Sequence, residues 1–343
     1  GCALKGGRLP SGDRPIDHPW VWSGADLAAD GAWIYHLSAA KIAELDDAVA
    51  ASAALPVTEI TRADARLPTL GPRLTTLSHQ IDAGRGVAML RGVPVDRYDA
   101  DQAGRALWCL GQYAGMPFPQ DAARNLLHHV RDTGGNLQAD PNLRGFQTNN
   151  ELYFHTDGGD LFMLLCRRQA KSGGRSRLAS AAHLFNCVLA ADPQLARVLQ
   201  EPFYFDARGQ QLPGQPRTQC LPVMIWHGGR LNILHKRAYI DFAQRFEEVP
   251  PLTDAQRAAL DLLDQVVEAP ENHHAFDMAP GDIQMASNFS VLHARDTYVD
   301  FDEPDAKRHM LRLWLAVPRG RPLPEAYRTT REHGHLFTMR ATG

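Results

Sequence analysis

The chain lacks a basic excess: Lys+Arg 36 against Asp+Glu 39 leaves a net charge of −3. Nothing is left over to neutralise a phosphate backbone, which argues against a nucleic-acid partner. No stretch approaches the roughly 18–20 consecutive apolar residues that a membrane span needs. The N-terminus shows no charged segment followed by an apolar run and a small-residue cleavage site, so no secretory signal is read there. Cysteine is scarce and scattered, at Cys2, Cys109, Cys166, Cys187 and Cys220, with no CxxC pair. That pattern excludes a disulfide-stapled scaffold and suits a reducing compartment, so a cytoplasmic location is expected. Aromatic residues make up only 8%.

What is present is length and turn residues. At 343 residues and 44% hydrophobic, the chain buries a core without staples. Gly 28 and Pro 23 favour short strands joined by loops over a helix bundle. Helices are expected over 38–53, 70–84, 99–114 and 252–268, the last with Thr253 as N-cap, and two short ones over 181–200, divided near Pro193. Strands are expected over 86–95, 154–167, 176–182, 203–206, 224–226, 231–234, 283–285, 291–293 and 309–317. No internal repeat appears. The expectation is one domain with a β core and helices outside it. Residues 1–83 form an arm and helices, 84–318 the core with a helical insertion near 184–270, and 319–343 a C-terminal tail.

Fifteen histidines invite over-reading. The neighbours His128-His129 and His273-His274 diverge on either helix or strand, which disfavours a shared metal. His333-Gly334-His335 has no carboxylate at ligand spacing after it and reads as a solvated tail. His155-Thr156-Asp157 is different, because residues i and i+2 of an extended chain project to one side. His293, at the end of an apolar run, supplies a distant third donor. Two imidazoles and one carboxylate on one flank of a metal leave the other flank open, the facial triad of non-haem Fe(II) oxygenases.

Arg308 and Arg312 share a face if 308–317 is a strand. Two guanidiniums aimed into a β core are costly unless an anion meets them, and the planar fork of arginine suits a carboxylate. An acid-bearing ligand beside the metal is therefore expected; pairing of both arginines with protein carboxylates is the alternative. Among the aromatics, Tyr153 and Phe154 lie near the metal strand, and Trp226, His235 and Tyr239 are further pocket candidates, with core packing the competing reading. Lys236 and Arg237 read as surface or lid charges.

Six pieces occur in order: Gly86–Gly92-Val93-Pro94; Asn150-Glu151-Leu152-Tyr153-Phe154-His155-Thr156-Asp157; Ser172-Gly173-Gly174-Arg175-Ser176; Pro280-Gly281-Asp282; Asn288 five residues before His293; and Arg308 with Arg312. Together they resemble the TauD/TfdA family of Fe(II)- and 2-oxoglutarate-dependent dioxygenases, relatives of clavaminate synthase. The resemblance implies a double-stranded β-helix, the jelly-roll or cupin-like fold, mainly β with flanking and inserted helices. It implies Fe(II) on His155, Asp157 and His293, and 2-oxoglutarate and O2 as co-substrates. The distal carboxylate of 2-oxoglutarate would meet Arg308 and Ser176. Arg312, Glu151 and Tyr153 would meet the primary substrate, and Asn288 would brace the metal strand.

The implied reaction hydroxylates or desaturates an unactivated C–H of a small, carboxylate- or amino-acid-like molecule, with release of succinate and CO2. Asp157 fills the position a halide ligand would need, which disfavours halogenation. In this chain the connection from His293 to Arg308 is long and acidic (Asp300, Asp302, Glu303, Asp305), either solvated surface or part of the mouth. Two other readings of the same barrel stay open, an organic-acid-binding protein without catalysis and a cupin-type metal enzyme that needs no 2-oxoglutarate. A homo-oligomer is also left open.

Overall fold

The computed structural model describes residues 12–134 and 147–342. Local signals open most helices where the sequence places them. Ser38 caps Ala39–Ala51, and capping boxes at Asp99/Gln102 and Thr253/Gln256 open Ala100–Ala114 and Asp254–Glu268. Each satisfies backbone N–H groups that a helix start leaves without partners. Pro193 opens a second short helix, Pro193–Val198, after Ala181–Ala191.

Seven strands form the larger sheet. Its order is Ile34–His36, Val87–Arg91, Asp282–Ser287, Leu161–Arg168, His309–Ala316 and Met116–Phe118, with Leu127–Val130 also paired to His309–Ala316. All its pairings are antiparallel except the first. The smaller sheet runs His274–Phe276, Ser176–Ser180, Val291–Arg295, Leu152–His155.

Strand alternation divides the core in two. Along His309–Ala316, Leu311, Leu313 and Leu315 pack with residues of Leu70–Ala83 and Ala100–Ala114. Met310 and Trp314 face the opposite way, into the space shared with the smaller sheet, among Phe162, Cys166, Leu178 and Val291. This strand is buried throughout, which is why it reads as a nearly continuous apolar run broken only by Arg312. The architecture is the expected double-stranded β-helix with flanking and inserted helices. Between Ala181 and Glu268 lie four helices and the two hairpins Pro202–Asp206/Thr218–Pro222 and Met224–His227/Arg230–Ile233.

Some expectations are corrected. The run expected as one strand over 154–167 is two, Leu152–His155 and Leu161–Arg168, separated by the turn that carries Asp157. The short strands at Ile34–His36, Met116–Phe118, Leu127–Val130, Thr218–Pro222 and His274–Phe276 carry too little alternation to be read in isolation. His333 is not solvated: it is buried between the rings of Phe289 and Tyr327, each 4.7 Å away. Lys236 is buried as well. Cys109, Cys166 and Cys187 are free thiols, whereas Cys220 is disulfide-bonded, so the expectation of a chain without disulfides is corrected at that position. Among the described residues no helix is long and apolar enough to cross a membrane.

Candidate metal centre

His155 ends its strand, and its neighbour across the sheet is His293. Residues directly opposite in an antiparallel pair point the same way, so both imidazoles enter the space between the sheets, with ring centres 4.3 Å apart. Immediately afterwards the chain turns. The Thr156 N–H donates to the His235 carbonyl at 3.0 Å, and the Asp157 N–H donates to Asn288 Oδ1 at 3.3 Å. Asn288 Nδ2 in turn donates to the Gly158 carbonyl at 2.6 Å. A Cβ on Gly158 would sit 2.7 Å from the Trp314 ring and 2.8 Å from the Glu332 carbonyl oxygen. Only glycine permits that close approach.

The turn brings Asp157 back towards the histidines. Asp157 Oδ1 is 3.9 Å from His155 Nε2 and Oδ2 is 3.6 Å from His293 Nε2. One ligand atom from each residue lies within 4.8 Å of the others, the one such group among the described residues. His155 Nδ1–H donates to the Tyr153 carbonyl at 2.7 Å, which leaves the Nε2 lone pair for a metal. Burial lowers the His155 pKa and lowers that of His293 well below its ordinary value, the latter with His155 as the next cause. Burial alone would raise Asp157, but Arg312 foremost, then the two histidines, holds its carboxyl well below the usual range. Two neutral imidazoles and one carboxylate are thus ready at neutral pH, a donor set that fits a divalent ion with an open face.

The two predicted arginines part company. Arg312 Nη1 donates to Asp157 Oδ2 at 2.9 Å, and Arg312 Nε donates to Gln120 Oε1 at 2.8 Å. Trp314 Nε1–H donates to the same Asp157 oxygen at 3.1 Å. Arg312 is therefore a partner of the metal carboxylate, so the alternative in which both arginines pair with protein carboxylates is met at Arg312 alone among the described residues. Arg308 is only 2% exposed and has no ion pair among the described residues. Its Nη1 has no hydrogen-bond partner, its guanidinium lies 5.0 Å from the Tyr298 ring centre, and burial lowers its pKa. Its backbone N–H donates to Asp300 Oδ1 at 2.7 Å, so part of the acidic connection anchors this arginine. A cavity of about 240 Å³ lies against Arg308, walled by Gly173, Gly174, Met278 and Met310; none of the three metal-donor residues lines it.

Ser176 is buried directly opposite Arg295 in the smaller sheet. Asn288 stands as the expected brace. Tyr153 is 69% exposed. Glu151 is drawn away: Arg177 pairs with it at 2.5 Å and also with Glu268 and Asp296. Arg177 is opposite Ala294, on the face of the sheet turned from His293. Elsewhere, His128 pairs with Asp121 at 3.0 Å and His129 with His309 at 2.8 Å. His273 Nδ1–H donates to the Val267 carbonyl.

Two groups escaped the reading of the sequence. Arg295 follows His293 by two residues on the same face, so the periodicity that found Asp157 would have found it too. The second group needs tertiary contact: Lys236 Nζ donates to Glu332 Oε1 at 2.9 Å, and Gln219 Nε2 to Glu332 Oε2 at 3.0 Å. Arg331 Nε lies 3.3 Å from Glu332 Oε1, while Arg331 Nη1 is buried without a partner. The Gly159 N–H donates to the Glu332 carbonyl at 2.8 Å, which fastens this C-terminal segment to the metal turn.

Comparison with known proteins agrees with this geometry. The family model described as "Taurine catabolism dioxygenase TauD, TfdA family" matches residues 52–314. FR-33289 synthase of Streptomyces rubellomurinus is 30% identical over 325 residues, covering 93% of this chain and 95% of that protein. The taurine hydroxylase-like protein SAT17 of Stachybotrys chartarum is 28% identical over 309 residues, covering 87% and 79%. Among solved structures, asparagine oxygenase with Fe(II), 3-hydroxyasparagine and succinate superposes with a TM-score of 0.64 at 18% identity, over 83% of this chain and 94% of that one. The oxygenase OrfP with Fe and alpha-ketoglutaric acid gives 0.60 at 16%, over 83% and 94%. The chain belongs to the TauD/TfdA family and is a non-haem iron dioxygenase dependent on 2-oxoglutarate.

Proposed function

We propose that this enzyme hydroxylates a C–H bond of a small amino-acid-like or otherwise anionic molecule, with release of succinate and CO2. The observation that carries the reading is a cluster of two imidazoles and one carboxylate on the same barrel as a buried arginine that pairs with no carboxylate among the described residues. When bound, ferrous iron with 2-oxoglutarate and O2 supplies the oxidising chemistry, in which the keto acid is decarboxylated and the substrate C–H is attacked.

The chain's part is to hold and aim. His155, Asp157 and His293 grip the ion from one side. Arg312 and Trp314 fix the Asp157 carboxylate, so one oxygen is spoken for by N–H donors and the other stays turned to the metal position. Arg308 and Ser176 take the distal carboxylate of the co-substrate, and the fork of Arg308 orients it. Phe162, whose ring centre is 4.5 Å from that of His293, and Trp314 keep water from that side. An anionic group on the substrate is matched by Lys236 and Arg331, since these two cations share one carboxylate, Glu332, and Arg331 keeps a free N–H.

The amino-acid class is favoured by the neighbours in fold, which were crystallised with 3-hydroxyasparagine and with (3S)-hydroxy-L-Arg. The test is succinate formation under air with Fe(II), 2-oxoglutarate and a panel of amino acids, sulfonates and other small acids. A substrate that stimulates succinate release above the uncoupled rate, with oxygen appearing on its carbon, meets the expectation. Turnover that needs no 2-oxoglutarate would overturn it.

A further inference from the structure

Arg295 stands on the smaller sheet and Arg308 lies just ahead of the larger sheet's strand His309–Ala316, yet both guanidiniums lie within 5.0 Å of one ring centre, that of Tyr298. Arg295 is buried, and its Nη2 is tethered to the carbonyls of Thr148 and Asn150. That tether fixes the fork without neutralising it. Its Nε and Nη1, like Nη1 of Arg308, are buried with no hydrogen-bond partner. No carboxylate among the described residues forms an ion pair with either arginine. Two buried cations around one phenol ring repel each other and have lost their water, an arrangement that persists only where an anion joins it. Directly across the strand pair from Arg295 lies Ser176, on the same face. Three free N–H donors and a hydroxyl match the acceptor sites of one carboxylate.

We propose that Arg295 is a second arginine of the distal-carboxylate site, so that 2-oxoglutarate is held at that end by a pair of guanidiniums, Arg308 and Arg295, braced on Tyr298. The inference rests on the reading of Arg308 given above. It makes Arg295 a determinant of co-substrate choice: a keto acid with a second carboxylate at this depth is retained, and one without it gains nothing from Arg295.

The experiment is anaerobic titration of the Fe(II)-loaded full chain, followed by its weak visible metal-to-keto-acid absorption, with 2-oxoglutarate and with 2-oxobutanoate, which lacks the distal carboxylate. Wild type, Arg295→Gln, Arg295→Lys and Arg308→Gln are compared. Arg295→Gln is expected to weaken 2-oxoglutarate about 10- to 100-fold, the scale of charge-assisted hydrogen bonds. 2-Oxobutanoate should be unaffected, and Arg295→Lys should recover part of the loss. Equal weakening of both keto acids would make Arg295 a packing residue and overturn the proposal. Unchanged 2-oxoglutarate binding in the Arg295 variants, with a loss in Arg308→Gln, would overturn it while leaving the Arg308 reading intact. No loss in either variant would end both. If Arg295→Gln does not fold, Arg295→Lys decides, because a lysine that binds 2-oxoglutarate as tightly as arginine contradicts a fork.

Discussion

The barrel holds two kinds of buried charge. At the metal turn every charge has a partner: Arg312 meets Asp157, and Lys236 meets Glu332. Further along the same interior, neither Arg295 nor Arg308 meets a carboxylate among the described residues, and Arg295 Nε and Nη1 and Arg308 Nη1 are buried without hydrogen-bond partners. The paired set holds the protein's own backbone in place, with the Gly158–Gly159 turn fastened between Asn288 and Glu332. The unpaired set is arranged for something that arrives from outside. A buried cation that meets a carboxylate of the chain helps to hold the fold, and one that meets none is arranged for an anionic ligand, because binding repays its desolvation.

Breaking the paired set should cost the most. Asp157→Ala removes a metal donor and strands Arg312, so iron content and turnover should fall to background. The ligand-free fold should lose about 3–5 kcal/mol, the scale for leaving one half of a buried pair, read from urea unfolding. Glu332→Gln, which leaves Lys236 and Arg331 without their anion, should cost about 3 kcal/mol and lower Tm by several degrees. The unpaired set should respond in the opposite sense. Arg308→Met should weaken 2-oxoglutarate about 100-fold while leaving the ligand-free protein as stable as wild type or more so. In wild type, added 2-oxoglutarate with Fe(II) should raise Tm, and in this variant it should not. A clear destabilisation by Arg308→Met would erase the distinction between the two sets.

The smallest effect is on pH. Burial holds His333 down to about 3, and burial with His129 holds His309 down to about 3, against 6.5 for the free side chain. As pH falls below about 6.5 the unfolded chain takes up protons that the native state refuses. Stability is therefore full above that pH and is lost as it falls towards 3, by about 1 kcal/mol per histidine between pH 7.5 and 5.5. The urea midpoint should drop accordingly, and His333→Leu should flatten the dependence.

The parts of the site legible in the sequence are those governed by strand alternation. His155 and Arg312 point inward from their strands, whereas Asp157, found by the same two-residue spacing, is brought to the histidines by the turn after the strand, and Arg308 lies just ahead of the strand His309–Ala316. The same rule placed Arg295, which went unread because an arginine beside a ligand histidine has no meaning until its lack of a carboxylate is seen. Spacing gave no warning that Arg312 would be taken by Asp157, 155 residues away, or Lys236 by Glu332, 96 residues away. Such pairings depend on how the insertion and the C-terminal segment fold over the barrel. Glu151, four residues before His155 in the chain, is likewise paired with Arg177, 26 residues away.

The most direct measurement is anaerobic addition of Fe(II) and then 2-oxoglutarate to the wild-type chain and to His293→Ala. One iron per wild-type chain is expected, with a weak visible band that appears only when the keto acid is added, and neither is expected in the variant. Iron binding in wild type without the band, or a band that survives loss of His293, would contradict this expectation.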